Sequence, residues 1–213
     1  ELARLNPAWR HVFGEDFARR GDLTVFAPLA IMPNLRKRTP FVVELRNLTY
    51  EQQRQVMFFI CDRLPRRGGM AFDATANGGY LAEQAALKYG TTVVDQVNLS
   101  LSWYHEWMPK LKGEFEALNI EVPRHQTTLD DLLSIKVENG VPLIDKGRTK
   151  DLESVGGKGK RHGDFAVALA MAVRASWMDG SEIDFTAAPK HSRGFDNMDD
   201  SDSDITIPEP QAW

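Results

Sequence analysis

Three aspartates lie where predicted strands end or a predicted helix begins, and their type and position suit metal chemistry. Asp16 lies in an apolar strand pattern, Asp73 ends the run GGMAFD, and Asp164 directly precedes the apolar stretch FAVALAMAVRASW. A carboxylate between Phe13 and Phe17 is costly to bury unless a positive group pairs with it. Carboxylate oxygens are also the ligands that hard divalent cations prefer. Three that converge would suit two-metal phosphodiester hydrolysis, in which one ion activates water and the other stabilises the leaving oxygen.

Whether the three carboxylates converge depends on the order of the strands. Asp73 and Asp164, taken singly, could instead cap the helices that follow them. A right-handed crossover would allow the strand that ends at Asp73 to pair beside the first strand. The ends of these neighbouring strands would then bring Asp16 and Asp73 within side-chain reach. The crevice outside strand ends is also where open α/β sheets bind ligands.

Hydrophobic periodicity and turn signals predict the elements that position these residues. Residues 12–17, 24–32 and 41–47 are predicted strands that form an antiparallel meander. Thr49 is a plausible N-cap of a helix that Pro65 stops, and Gly90 closes the next helix. Strand, helix, strand, helix, strand is the pattern of βαβ crossovers, so the strands near residues 70 and 93 should be parallel neighbours. The predicted fold class is mixed α/β.

The second half of the chain is predicted to be mainly helical. Residues 101–118 follow an amphipathic helical pattern, and we expect Pro109 to restart the helix. A short helical segment and a hairpin around Asn139-Gly140 should follow. The last regular element is the Ala-rich stretch after Asp164, which is apolar on nearly all sides and should form a buried helix on the sheet.

Composition bounds the class of protein. The 213 residues carry 26 Lys and Arg against 30 Asp and Glu, and 42% are apolar. These ordinary values exclude collagen-like, coiled-coil and wholly disordered chains. Cys61 is the single cysteine and lies in the apolar run VMFFIC, so a buried thiol is favoured and a disulfide scaffold is excluded. The apolar runs fall far short of the roughly 20 residues of a membrane span. Because Glu1 opens the chain without an initiator Met, we expect a fragment of a longer protein.

The distribution of charge predicts the domain organisation. From Asp196 onward the chain has six acids and no Lys or Arg. This segment lacks apolar periodicity, so we predict one domain over residues 1–195 and an acidic, disordered tail over residues 196–213.

Two basic stretches are candidates for contacts with a phosphate backbone. The first contains Arg36, Lys37 and Arg38, and the second is the glycine-rich stretch 146–163, which contains Lys158, Lys160 and Arg161. Both are predicted to be loops, and solvated surface is the alternative explanation for each. We expect the second loop to be mobile because glycine makes order costly in entropy.

Three motifs in order resemble those of a known family. They are D-F-A-R-R-G-D-L-T-V at Asp16, F-D-A-T-A-N-G-G-Y-L-A-E at Asp73 and H-G-D-F-A-V-A-L-A-M-A at Asp164. As a set they resemble the nuclease domain of the large terminase subunit of tailed bacteriophages, in particular its Mu-like phage and prophage branch. The resemblance spans about residues 10–178.

The resemblance implies an RNase H-like fold, with a three-stranded antiparallel meander plus parallel strands, flanked by helices. It implies a metal-dependent DNA endonuclease that cuts phage DNA during genome packaging. Asp16, Asp73 and Asp164 would be the catalytic metal ligands for two divalent cations, Mg²⁺ or Mn²⁺. Asp22 resembles a further acidic position near the site, and His162 resembles a polar residue just before the last ligand.

The resemblance also implies partners and a place of action. These are double-stranded DNA, the terminase ATPase domain, the small terminase and the portal, in the cytoplasm of a bacterial host. The companion ATPase requires a phosphate loop of the form G-x-x-x-x-G-K-[ST], which the chain lacks, so we expect the nuclease part alone.

Two other functions remain open at this stage. The chain could be a DNA-binding or motor-docking module whose nuclease centre is weak or switched off, so that the basic loops bind phosphates and the acids do little. It could also be a resolvase- or transposase-type nuclease, because such enzymes share acid constellations on this fold.

Overall fold

A mixed β-sheet forms the centre of the protein in a computed structural model, which describes residues 1–18, 23–144, 149–151, 159–161 and 163–178. The strands within these ranges are β1 (Arg10–Asp16), β2 (Leu23–Ile31), β3 (Lys37–Arg38), β4 (Val43–Arg46), β5 (Arg67–Asp73), β6 (Val94–Val97), β7 (Ile120–Glu121), β8 (Ile135–Glu138), β9 (Val141–Ile144), β10 (Thr149–Asp151) and β11 (Gly159–Arg161). The central sheet has the order β6-β5-β1-β2-β3-β7, with β4 also paired to β2. β8 pairs with β9, and β10 with β11, in two small antiparallel sheets.

Helices cover both faces of the central sheet. They are α1 (Tyr50–Cys61), α2 (Gly79–Tyr89), α3 (Leu101–Glu116), α4 (Gln126–Leu133) and α5 (Asp164–Ser176). Residues of α3 and α5 share one apolar core with one face of the sheet. Residues of α1 and α2 share a second core with the opposite face. None of the described helices combines the length and hydropathy that crossing a membrane requires.

The alternating pattern of β1 explains why the sheet has two cores. Val12 packs in the core under α5, whereas Phe13 packs in the core under α1 and α2. Successive side chains of a strand point to opposite faces, so both faces of β1 are covered. The predicted mixed α/β fold with a meander and parallel strands is confirmed: β1, β2 and β4 pair antiparallel, and β1, β5 and β6 pair parallel.

Local end signals located the start of α1, the end of α2 and the turn correctly, whereas α1 ends at Cys61, before Pro65 is reached. The Thr49 side chain accepts a hydrogen bond from the Gln52 backbone, and the Gln52 side chain accepts one from the Thr49 backbone, which completes a capping box at α1. Gly90 ends α2 at a φ of 91°. The β8–β9 turn has positive φ at both Asn139 and Gly140, as a tight hairpin turn requires. The Cys61 side chain is buried, as predicted.

The predicted restart of the helix at Pro109 is wrong. α3 runs unbroken from Leu101 to Glu116 with Pro109 inside it. Proline removes one helical hydrogen bond, yet both Pro109 and His105, whose carbonyl loses that bond, lie on the exposed side. Met108 and Leu111 are buried on either side of the proline and hold both halves of the helix to the core.

The prediction that the two basic stretches are loops is wrong in part. Lys37 and Arg38 form β3, which pairs with β2 and β7. In the second stretch, β10 and β11 form an antiparallel pair that includes Lys160 and Arg161. A two-residue strand is decided by distant partners, which local sequence does not reveal. Lys158 lies outside the described residues.

The chain consists of two compact units, Glu1–Glu182 and Ile183–Trp213. The second unit lies wholly outside the described residues. The boundary at residue 195 and the acidic tail therefore remain predictions.

Candidate active site

Helix α5 crosses directly over β1, and Gly14 makes this crossing possible. A Cβ at Gly14 would lie 2.1 Å from the carbonyl oxygen of Ala168 and 2.3 Å from the backbone nitrogen of Ala172. Only a residue without a side chain allows the helix to approach so closely.

The same crossing brings Asp164 to the end of β1. Asp164 lies four residues before Ala168, about 6 Å along the axis. Asp16 lies two residues beyond Gly14 on the same face of β1, about 6.6 Å along the strand. Both residues therefore lie toward the carboxyl end of β1.

Asp73 reaches this place from the neighbouring strand. β5 pairs parallel with β1, with Glu15 opposite Phe72, so both strands end side by side. Ala71 packs under α5 and Phe72 on the opposite face, which returns Asp73 to the α5 face. Asp73 is 6% exposed, and its Oδ1 accepts a hydrogen bond from the Thr75 backbone at 2.7 Å. This hydrogen bond fixes the carboxylate at the carboxyl end of β5.

Asp164 and Asp73 both act electrostatically on Asp16. Burial raises the pKa of Asp16 well above its usual value, and the charges of Asp164 and Asp73 raise it further. Burial also raises the pKa of Asp73, against hydrogen bonds from Thr75 that lower it. The structure thus brings together the three residues selected from the sequence.

The present arrangement does not yet form a metal cage. Across the residues that the structure describes, no three His, Cys, Asp or Glu side chains are placed so that they could hold a metal ion. Asp16, Asp73 and Asp164 therefore interact electrostatically, and their role as ligands remains a prediction.

Glu15 is a residue of this site that the sequence analysis missed. It is fully buried on the opposite face of β1 from Asp16, and its Oε2 accepts a hydrogen bond from the Asp73 backbone at 3.0 Å. Its Oε1 is buried without a hydrogen-bond partner in the described structure. Burial, and then the charge of Asp73, raise the pKa of Glu15 well above its usual value. The signal was a second acid in the apolar run HVFGED.

Asp131 on α4 was also missed, and it holds the start of α5. Its carboxylate is fully buried and accepts a hydrogen bond at 3.0 Å from the backbone N–H of Phe165, the residue after Asp164. Asp131 therefore caps α5 from a different helix of the same chain, because Gly163 at the N-cap position has no side chain that could do so. The charge of Asp131 contributes to the raised pKa of Asp16.

Tyr104 on α3 completes the surroundings of the acids. Burial raises the pKa of its hydroxyl, and the charges of Asp16, Asp73 and Asp164 raise it further. The phenol therefore lies within electrostatic reach of all three. No sequence signal distinguished Tyr104 from the rest of its amphipathic helix.

The basic residues of the first stretch lie away from the acids. Asp16 pairs with Val25 at one end of β2, whereas Lys37 and Arg38 pair with Ile31 and Ala30 at the other end, about 17 Å along the strand.

Nearby glutamates pair with these basic groups. Arg36 and Arg38 contact Glu121 at 2.9 and 2.7 Å, and Lys37 contacts Glu114 at 2.7 Å. The structure therefore does not bring this stretch to the site, and a role for it in DNA binding stays a prediction. Asp22 and His162 lie outside the described residues, as do the side chains of Lys160 and Arg161.

Comparison with known proteins relates this chain to phage packaging proteins. It is 65% identical over 206 residues to the "Probable terminase, large subunit gp28" of Escherichia phage Mu, which covers 95% of this chain and 37% of the relative. It is 50% identical over 197 residues to the Mu-like prophage FluMu protein gp28 of Haemophilus influenzae, covering 92% of this chain and 38% of the relative. Its curated homologues are Mu-like phage large terminase proteins. This chain spans little more than a third of their length. No protein-family profile matches it.

The fold is similar to that of solved large terminase nuclease domains. The large terminase nuclease of thermophilic phage G20c, crystallised with bound magnesium, superimposes with a TM-score of 0.59 at 19% identity, covering 81% of this chain and 83% of that one. At this identity the similarity establishes the fold alone. The expected RNase H-like architecture is confirmed.

Proposed function

We propose that this chain is the nuclease part of a Mu-like large terminase and cuts double-stranded phage DNA in a reaction that depends on divalent metal ions. The observation that carries the proposal is the convergence of Asp16, Asp73 and Asp164 on the carboxyl end of two adjacent parallel strands. Similarity to Mu gp28 over nearly the whole chain supports the packaging role.

The chemistry of the site suits a hard divalent cation. The charged groups that act on Asp16 are all carboxylates, and each of them raises its pKa. Oxygen ligands of this kind select Mg²⁺ or Mn²⁺. The related fold of the G20c nuclease has been crystallised with zinc, magnesium and cobalt. An ion would have to draw the three side chains closer, and its positive charge would offset the repulsion that otherwise keeps them apart.

The chain's own residues position the reacting groups. Asp16, Asp73 and Asp164 would hold the ions, which when bound supply an activated water and stabilise the leaving oxygen of the phosphodiester. Thr75 orients Asp73 through its backbone N–H, and Asp131 fixes the first turn of α5. Because a backbone phosphate repels unscreened carboxylates, the apo site should bind DNA poorly at this point.

Similarity to a longer large terminase protein supports a proposal about partners. We propose that this part acts beside a terminase ATPase, a small terminase and a portal, in a bacterial host cell.

One observation favours a second candidate function. The described carboxylates do not form a metal-holding group as they stand. A DNA-binding or motor-docking module with a switched-off centre would keep this arrangement, whereas an active nuclease must close it when metal binds.

Plasmid nicking distinguishes the two functions. We expect Mg²⁺ or Mn²⁺ to convert supercoiled plasmid to the nicked form, and Asp16→Asn, Asp73→Asn and Asp164→Asn each to abolish this conversion. Glu116→Gln is the matched control, because Glu116 ends α3 and its exposed pair with Lys112 contributes little. If folded Asp16→Asn protein nicks plasmid at the wild-type rate, and the metal-free control of the same preparation is inactive, the DNA-binding or motor-docking module is favoured.

A further inference from the structure

Three aromatic rings contact one another where β1 ends and where α1 and α2 begin, on the face of the sheet that α1 and α2 cover. Phe17 and Tyr50 stack in parallel, with ring centroids 5.5 Å apart and an interplanar angle of 6°. Tyr80 packs against Tyr50 at 5.3 Å and 54°. We call Phe17, Tyr50 and Tyr80 the aromatic cluster.

Each of the two strands that carry the acids also leads to one of these rings. Phe17 directly follows Asp16 at the end of β1. Tyr80 lies at the start of α2, just after a turn that rests on Asp73: a Cβ at Gly78 would lie 2.4 Å from the Asp73 carbonyl oxygen. The cluster is therefore fixed to the same two strand ends as the carboxylates.

The outer ring of the cluster is accessible. The core on this face is closed by Phe13, Phe26 and Phe72, which are fully buried. Tyr80 lies beyond that core and is 36% exposed. Filling the core therefore does not account for a large aromatic ring at this position.

Cations continue from the cluster along α1 and α2. Arg54 lies one turn after Tyr50, with its guanidinium 5.3 Å from the Phe58 ring, and the Lys88 ammonium lies 4.2 Å from the same ring. Their ion pairs with Glu51 and Asp62 are partly exposed, and such pairs contribute little, so phosphates can replace them. Aromatic rings interleaved with cations are typical of surfaces that bind single-stranded nucleic acid.

We propose that the aromatic cluster stacks an unpaired base of the DNA strand that the acids cut, next to the cleaved phosphate. The proposal rests on the nuclease function proposed above and adds that the substrate strand is locally unpaired at the site. In a duplex both faces of a base are covered by its neighbours, so Tyr80 can stack on a base only where the strand has opened.

Binding of single-stranded oligonucleotides in EDTA tests the proposal without cleavage. The probes are a fluorescent oligothymidine and an oligonucleotide of the same length whose central nucleotides lack bases. Wild-type protein should bind the base-containing probe roughly tenfold more tightly, in line with aromatic stacking on one base. Tyr80→Ala should lose most of this preference, and Tyr80→Phe should keep it.

Two controls separate this proposal from the nuclease proposal. Phe59→Ala removes an aromatic residue that is 53% exposed, near the far end of α1, and should leave the preference unchanged. Asp16→Asn should lose nicking and keep the preference for bases. Equal binding of both probes by wild-type protein, or an unchanged preference in folded Tyr80→Ala, overturns the stacking site whatever the nicking result.

Discussion

Replacing Gly14 with alanine should displace α5 and inactivate the site without touching any carboxylate. The new Cβ would lie 2.1 Å from the Ala168 oxygen, and an ordinary contact begins near 3.4 Å, so the helix must move by roughly 1.3 Å. The atoms that obstruct it are backbone, which cannot rotate away. Overpacking of this kind costs about 1–3 kcal/mol.

The same displacement should have a larger effect on catalysis than on stability. Asp164 lies one turn from the obstruction and would move away from Asp16 with the helix. A misplacement of about 1 Å can cost roughly 100-fold in rate. In a domain of this size, the stability loss should lower Tm by about 2–4 °C for each kcal/mol.

Thermal melting and initial nicking rates in Mn²⁺ measure the two effects. The control is Gly113→Ala on the exposed face of α3, where a new Cβ meets nothing within 4 Å and alanine should stabilise the helix by about 0.5–1 kcal/mol. Gly14→Ala protein with wild-type Tm and wild-type nicking would refute the reasoning, because α5 could then not rest on β1 as described.

Three further predictions concern the buried acids. Glu15→Ala removes the acceptor of the Asp73 N–H and should raise the Mn²⁺ concentration needed for half-maximal nicking by about 10–100-fold. Glu15→Gln keeps an acceptor and should retain most activity. Equal loss in both variants would assign Glu15 another role. Asp131→Ala leaves the Phe165 N–H without its cap and should lower the free energy of unfolding in urea by about 0.5–2 kcal/mol. Asp131→Asn should keep most of this stability. Equal stability of the two variants would contradict the cap. Because the pKa of Asp16 is raised in the folded protein, the metal-free folded state binds more protons than the unfolded chain above pH ~4. The free energy of unfolding should therefore fall as pH rises through the folded pKa, and Asp16→Asn should flatten this fall. Parallel curves of unfolding free energy against pH for the two proteins in EDTA would contradict this prediction.

The parts of the fold that could be predicted from the sequence depend on local signals and one chirality rule. Thr49, Gly90 and the Asn139-Gly140 turn each specify their backbone through their own side chains or φ angles. The right-handed crossover placed β5 beside β1, and this pairing brought Asp16 and Asp73 to one edge of the sheet.

The parts that could not be predicted depend on partners distant in sequence. β3 exists because Lys37 pairs with Ile120, and nothing within the basic stretch indicates this. Asp131 caps a helix that begins 33 residues later in the sequence, so its acid looked like ordinary helix surface. The Glu15 side chain points to the opposite face of β1 from Asp16. Its role as acceptor for the Asp73 N–H depends on β5 lying next to β1. A continuous α3 required knowing that Met108 and Leu111 are both buried.

Crystals of the wild-type protein soaked in Mn²⁺ test the central claim most directly, through an anomalous difference map. We expect two peaks about 4 Å apart, in contact with the carboxylates of Asp16, Asp73 and Asp164. The absence of any peak at these residues at saturating Mn²⁺, or peaks bound by other residues, would contradict it.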